Sequence, residues 1–251
     1  MSKKYAGKTC AYCGGVSTSP DHVIARGFFL PKDRLNLPQV PACGWCNGTK
    51  AELEHYVTTI LPFGGRHSDA HAMLADMVPP RLARNRRLQR HLAEGWGRTW
   101  TPRESGLMAP ATTLPVDPER LLGLFKWIAR GLTFYHWHIS ITAAHDVEAI
   151  ATTRSGDTVI DQQFALRTSA RAFANLGKGT FMYEGAQTVD SPETTLWRFS
   201  IYGGVRVGDP NAPRELGSRI VVVTRPRSSS DSSSASGWKE TGRPPFATGK
   251  P

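Results

Sequence analysis

Apolar side chains recur at helical spacing in two stretches. Leu53, Tyr56, Val57 and Ile60 fall at i, i+3, i+4 and i+7, one face of a helix that begins just after Cys46. Leu121, Leu124, Phe125, Ile128, Leu132 and Tyr135 carry the same period from Asp117-Pro118 to about residue 136. There Asp117 supplies a side-chain cap and Pro118 a pre-set first helical residue. Between them, residues 66–95 read as one or two helices broken at Pro79-Pro80. Short strands are expected at 21–24, entered from the turn Thr18-Ser19-Pro20, and as an extended segment at 39–42. Others are expected at 139–142, 180–183, 195–202 and 220–224. Phe28-Phe29-Leu30, between Gly27 and Pro31, reads as packed loop or one helical turn. Gly, Pro and Thr dominate 96–116, a linker, and the serine run 228–234 has no periodicity at all. The fold class is α+β. It divides into a cysteine-bearing domain at 1–60, a helical segment and linker at 61–116, an α+β accessory domain at 117–226 and a disordered tail at 227–251.

Charge narrows the partners. Lys and Arg number 31 against 21 Asp and Glu in 251 residues, a net charge of +10, which points to a polyanion and to nucleic acid ahead of a membrane surface. Hydrophobic residues, at 39%, suffice for a core and exclude a wholly disordered chain. No apolar run approaches the ~20 residues of a membrane-spanning helix. MSKKYAGKTC carries no apolar leader, so a cytoplasmic location is expected.

The four cysteines form two C-x-x-C pairs, Cys10/Cys13 and Cys43/Cys46. In a basic, unsecreted chain this reads as a metal site and not as a disulfide framework. Each pair turns two thiolates toward one ion, and four complete the tetrahedron of structural zinc, leaving no position open for substrate. A redox C-x-x-C expects a single motif beside a βαβ unit, which this chain lacks. Residues 14–42 exceed a minimal ribbon loop, so something is inserted between the knuckles.

That insertion holds Asp21-His22-Val23-Ile24, and the second knuckle runs on as Val40-Pro41-Ala42-Cys43-x-x-Cys46-Asn47-x-x-Lys50. In this order, over about residues 8–57, the motifs resemble the HNH nuclease family. The resemblance implies a ββα-metal fold in which a hairpin and a helix grip one divalent cation and a phosphodiester. It also implies residue roles: His22 as general base, Asp21 and Asn47 as ligands of Mg2+ or Mn2+, and Lys50 close to the phosphate. The middle asparagine of the family pattern falls at Pro38 here; either Asn36, two residues earlier, substitutes for it or backbone geometry alone holds His22. The chemistry agrees with these roles. An imidazole near pKa 6.5 takes a proton from water at neutral pH, and oxygen ligands suit a hard ion. The implied activity is DNA phosphodiester hydrolysis, in a phage, mobile-element or bacterial-defence setting.

Arg81, Arg84, Arg86, Arg87 and Arg90, with no acid until Glu94, are the expected grip on the nucleic-acid backbone, with Arg81, Arg84, Arg87 and Arg90 its contacts. Phosphate contacts do not separate DNA from RNA, so RNA stays open as a substrate. A zinc module that binds nucleic acid without cutting it is the alternative reading. Trp127, Phe134, Tyr135 and Trp137 read as core, Lys126, Arg130 and His55 as exposed. His136, His138 and His145 match no metal-ligand spacing.

Overall fold

The computed structural model describes residues 3–102, 107–165, 168–205, 207 and 217–228. Most of the expected tail, from 229 on, lies outside the described residues. The chain is mixed α+β. Strands β1 (Ser19–His22) and β2 (Gln39–Ala42) pair antiparallel, with Asp21 opposite Val40 and His22 opposite Gln39, and α1 (Gly44–Ile60) follows.

The basic segment folds as α2 (Ser68–Ala72), a π turn (Met73–Met77), α3 (Val78–Arg84) and α4 (Arg86–Glu94). Pro79 and Pro80 do not break a helix here. They sit in the first turn of α3, where a missing N–H costs nothing. The break falls at Asn85, which leaves helical geometry (φ −122°, ψ 74°) and caps α4 by accepting from Leu88 N. The expected linker contains a hairpin of β3 (Gly97–Pro102) and β4 (Met108–Thr113). Alternating threonine and tryptophan in Thr99-Trp100-Thr101 is a strand signal that the neighbouring Gly and Pro obscured.

Helix α5 (Pro118–Trp137) starts as expected, Asp117 accepting from Arg120 N. It lies across a five-stranded antiparallel sheet made of β5 (His145–Thr152), β6 (Thr168–Leu176), β7 (Phe181–Thr188), β8 (Thr195–Ile201) and β9 (Arg219–Pro226), in the order β5-β9-β8-β7-β6. α6 (Arg154–Ala165) connects β5 to β6. Residues 139–142, expected as a strand, are not one; β5 begins three residues later. In β8 the alternation is complete, Thr195, Trp197, Phe199 and Ile201 facing inward. Phe125 of α5 meets Phe199 at 5.3 Å, and Trp197 Nε1 donates to Thr133 Oγ1 at 3.0 Å.

The expected boundaries at 60 and 117 do not separate the core. Phe28 packs on Phe181 (5.3 Å), Tyr202 donates to Phe28 O (2.8 Å), and Tyr56 accepts from Asp117 N (2.7 Å). Buried side chains of the N-terminal ββα unit, of α5 and of the sheet form one cluster. Gly131 marks a close approach of α5 to the N-terminal unit: a Cβ there would stand 2.8 Å from Val23 Cγ1, in the residue that directly follows β1.

Candidate metal centre and histidine cleft

The first knuckle turns through Gly14 at φ +77°, where an L side chain is strained. Gly14 N donates to Cys10 O at 3.0 Å and Cys10 N to Gly15 O at 2.7 Å. The second knuckle is the start of α1. Cys43 is its N-cap, its Sγ accepting from Cys46 N, while Cys10 Sγ accepts from Cys43 N, both at 3.4 Å. All four sulfurs lie within 4.8 Å of one another, and Cys13 and Cys43 Sγ are 3.8 Å apart. Zn–S bonds of ~2.3 Å put tetrahedral sulfurs ~3.8 Å apart, so the spacing fits the ion. The cysteines form a potential tetrahedral metal site, consistent with structural zinc.

Burial pushes the Cys46 thiol far above its ordinary range. At Cys43 burial is outweighed by hydrogen bonds from the Cys46 amide and the neighbouring thiols, which hold it below that range. Four clustered thiolates require a cation, so metal capture displaces protons. Beneath the centre, Trp127 meets Tyr12 (5.1 Å) and Trp45 (6.4 Å). Arg130, expected on the exposed side of α5, is partly buried beside Trp127, 5.5 Å from its ring.

Asp21 and His22 point to opposite sides of β1, as successive strand residues must. Asp21 is turned inward. Its Oδ2 accepts from Tyr12 Oη at 2.5 Å and pairs with Lys50 Nζ at 3.0 Å. Lys50 is fully buried and also donates to His22 O (2.7 Å) and to Glu54 Oε1 (2.5 Å). The cluster therefore clamps the Asp21-His22 backbone onto α1. Burial raises the Tyr12 hydroxyl, with Asp21 adding to it, and burial raises Glu54 although Lys50 opposes this.

Asn47, half-buried, directs Nδ2 to Ser19 Oγ at 3.4 Å. Asp21 and Asn47 thus engage different partners. A divalent ion on Asp21 would stand against the Lys50 ammonium on the same carboxylate, and cations that close repel. As placed, Asp21 with Asn47 does not fit the divalent site that the resemblance implies.

His22 faces the other way, into a cleft of about 620 Å³ whose walls include Lys4, Arg26, Arg34, Asn36, Gln39 and Tyr135, with no carboxylate among them. The amide group of Gln39, directly across the hairpin, lies 2.8 Å from His22 Nε2. Asn36 lines the cleft from a left-handed turn (φ +58°), but Gln39 is the side chain on the ring. Arg34 is held by donating Nε–H to Phe29 O at 3.0 Å. Burial lowers the His22 pKa, and Arg26 lowers it further, so the neutral ring prevails at neutral pH.

The arginines divide. Arg81 donates to Thr58 O (2.8 Å) and Gly27 O (3.1 Å), fastening α3 to the end of α1. Arg84, Arg87 and Arg90 are exposed, with Leu88 and Leu92 buried on the other side of α4. Arg26, Arg34, Gln39 and Tyr12 were not among the sequence-derived site residues. Two signals pointed to the first three: Gln39 lies opposite His22 once the hairpin pairs, and both arginines lie between the knuckles. Among the described residues no helix is long and apolar enough to cross a membrane. Comparison of the chain with protein-family models, curated proteins and solved structures finds no match.

Proposed function

We propose that this protein is an HNH-type endonuclease that hydrolyses phosphodiester bonds in DNA, stapled by zinc in its four-cysteine centre. The observation that carries the reading is the cleft: a neutral imidazole on a wall shared with Lys4, Arg26 and Arg34 and free of carboxylates. A phosphodiester brings the negative charge that such a wall selects. The water oxygen bonds to phosphorus as His22 takes its proton, and the P–O bond to the leaving oxygen breaks, that oxygen being protonated from solvent. As placed, Gln39 Nε2 lies 2.8 Å from His22 Nε2 and donates to its lone pair; turning the amide so that its oxygen accepts from Nε2–H leaves Nδ1 with the free lone pair. The cations hold the non-bridging oxygens and the charge that grows on them in the transition state. Lys50 acts through Asp21 and the His22 carbonyl, keeping the ring aimed. The ββα order of β1, β2 and α1 and the zinc-like centre support the same reading.

His22→Ala is expected to abolish plasmid nicking while zinc content and the unfolding midpoint stay at wild-type values. Full nicking by that variant would refute the assignment. Arms with Mg2+, Mn2+ and EDTA report the cation requirement. A second reading, a nucleic-acid-binding zinc module without catalysis, is favoured by the engagement of Asp21 with Lys50 and Tyr12. It predicts gel shifts with no cutting in all three arms.

A further inference from the structure

The α4–β3 segment presents a second surface. Trp96, Arg98 and Trp100 are all exposed while Gly97 and Thr99 between them are half-buried, so the three share one outer face of the β3–β4 ribbon. The tryptophans are 53% and 61% accessible, far more than large aromatics ordinarily leave in water. Across the hairpin, Arg98 pairs with Thr112, Trp100 with Pro110 and Pro102 with Met108, which adds no carboxylate to that face. At ~3.3 Å per residue Trp96, which directly precedes β3, and Trp100 lie about 13 Å apart along the extended chain, with Arg98 between them. Arg86, Arg87 and Arg90 are exposed on α4, which enters the ribbon through Gly95.

We infer that this ribbon binds single-stranded nucleic acid, one base stacked on each of Trp96 and Trp100 and the intervening phosphate on Arg98. An aromatic face interrupted by a cation, with no acid among its described cross-strand partners, complements a chain that alternates π surfaces with anions. A duplex keeps its bases paired inside and offers those indoles nothing to stack on. The α4 arginines extend the grip along the backbone without reading sequence. The inference rests on the nucleic-acid class of the proposed function and not on its catalysis.

The test uses full-length His22→Ala protein in EDTA, so that cutting does not interfere, and a fluorescein-labelled dT20 probe. The probe is expected to bind and to quench tryptophan emission. Trp96→Ala with Trp100→Ala should weaken binding at least about tenfold, and the Phe pair should largely restore it. Both side chains are surface-exposed, so truncation leaves no core cavity, and an unchanged unfolding midpoint verifies this. No binding of dT20, or an affinity within about twofold of the parent in the Ala pair, overturns the inference. So does tighter binding of blunt duplex that the Ala pair leaves unaltered, and so does rescue of the Ala pair's loss by no aromatic. Wild-type nicking is scored separately. A protein that binds dT20 through the ribbon but never cuts refutes the proposed activity and leaves the ribbon standing.

Discussion

Lys50→Met removes one ammonium from a site with no water to replace it. The Lys50 side chain is fully buried and its Nζ serves three acceptors: the Asp21 carboxylate, the His22 carbonyl and Glu54. Methionine keeps the volume and deletes the charge, which leaves Asp21, 7% exposed, facing Glu54 with only Tyr12 to solvate it. Breaking a buried pair from one side costs about 3–5 kcal/mol, and at ~2–4 °C per kcal/mol for a protein of this size the midpoint should fall roughly 6–20 °C. Differential scanning calorimetry of zinc-loaded protein reads this directly. Asp21→Asn combined with Lys50→Met should recover part of the loss, because the stranded carboxylate goes with its partner. A midpoint within about 2 °C of wild type, accompanied by lost nicking, would refute the reasoning: Lys50 would then serve the phosphate, as the HNH resemblance implies, and not the core.

Arg26→Gln tests the cleft electrostatics. Burial first and Arg26 second hold the His22 pKa below the ordinary imidazole value, so the base stays deprotonated into mildly acidic solution. Removing Arg26 should lower nicking at every pH and shift the acid limb of the pH–rate profile upward, toward ~6.5; a limb that stays put or moves down would contradict the placement. The depressed pKa also means that the unfolded chain binds the His22 proton more readily than the folded one, so this group contributes a loss of stability as pH falls below ~6.5. Zinc should be found at about one ion per chain by elemental analysis, released with loss of structure below about pH 5 or by strong chelators, since thiolates must reprotonate to leave. Retention of native circular dichroism after complete metal removal would show that the centre does not hold the fold.

Much of the local structure was legible because it is set by neighbours in sequence. Asp117-Pro118 opens α5 as read, and the i, i+3, i+4 stripe of Leu53, Tyr56 and Val57 lies in α1, where Tyr56 and Val57 are buried. The C-x-x-C spacing brought all four sulfurs together. What the sequence concealed depends on tertiary placement. Pro79-Pro80 looks like a breaker until the π turn before it supplies the preceding helix end. The β3–β4 hairpin was hidden by Gly97, Pro102 and Pro110, residues that weaken strand propensity without preventing a two-stranded ribbon. For the candidate site, spacing and order picked out Asp21, His22, Asn47 and Lys50, but adjacent strand residues face opposite ways. Only the packing shows that Asp21 turns to Tyr12 and Lys50 while His22 turns to Gln39 and the cleft.

This division of β1 explains why the chain behind the knuckles is so extensive. A hairpin of two four-residue strands is marginal alone, and its candidate base sits on the last residue of the first strand. Three supports converge on that residue. The four-cysteine cluster brings both knuckles together around the hairpin, Lys50 ties the Asp21-His22 backbone to α1, and α5 seats Gly131 and Trp127 against Val23 and Tyr12. α5 is itself held by the sheet through Phe125, Trp137 and Trp197. The accessory sheet therefore stiffens the histidine's position, and the core is continuous across the expected domain boundaries. The cleft side of β1, by contrast, meets cations and half-exposed polar groups, which leaves room for a charged ligand where the buried side leaves none.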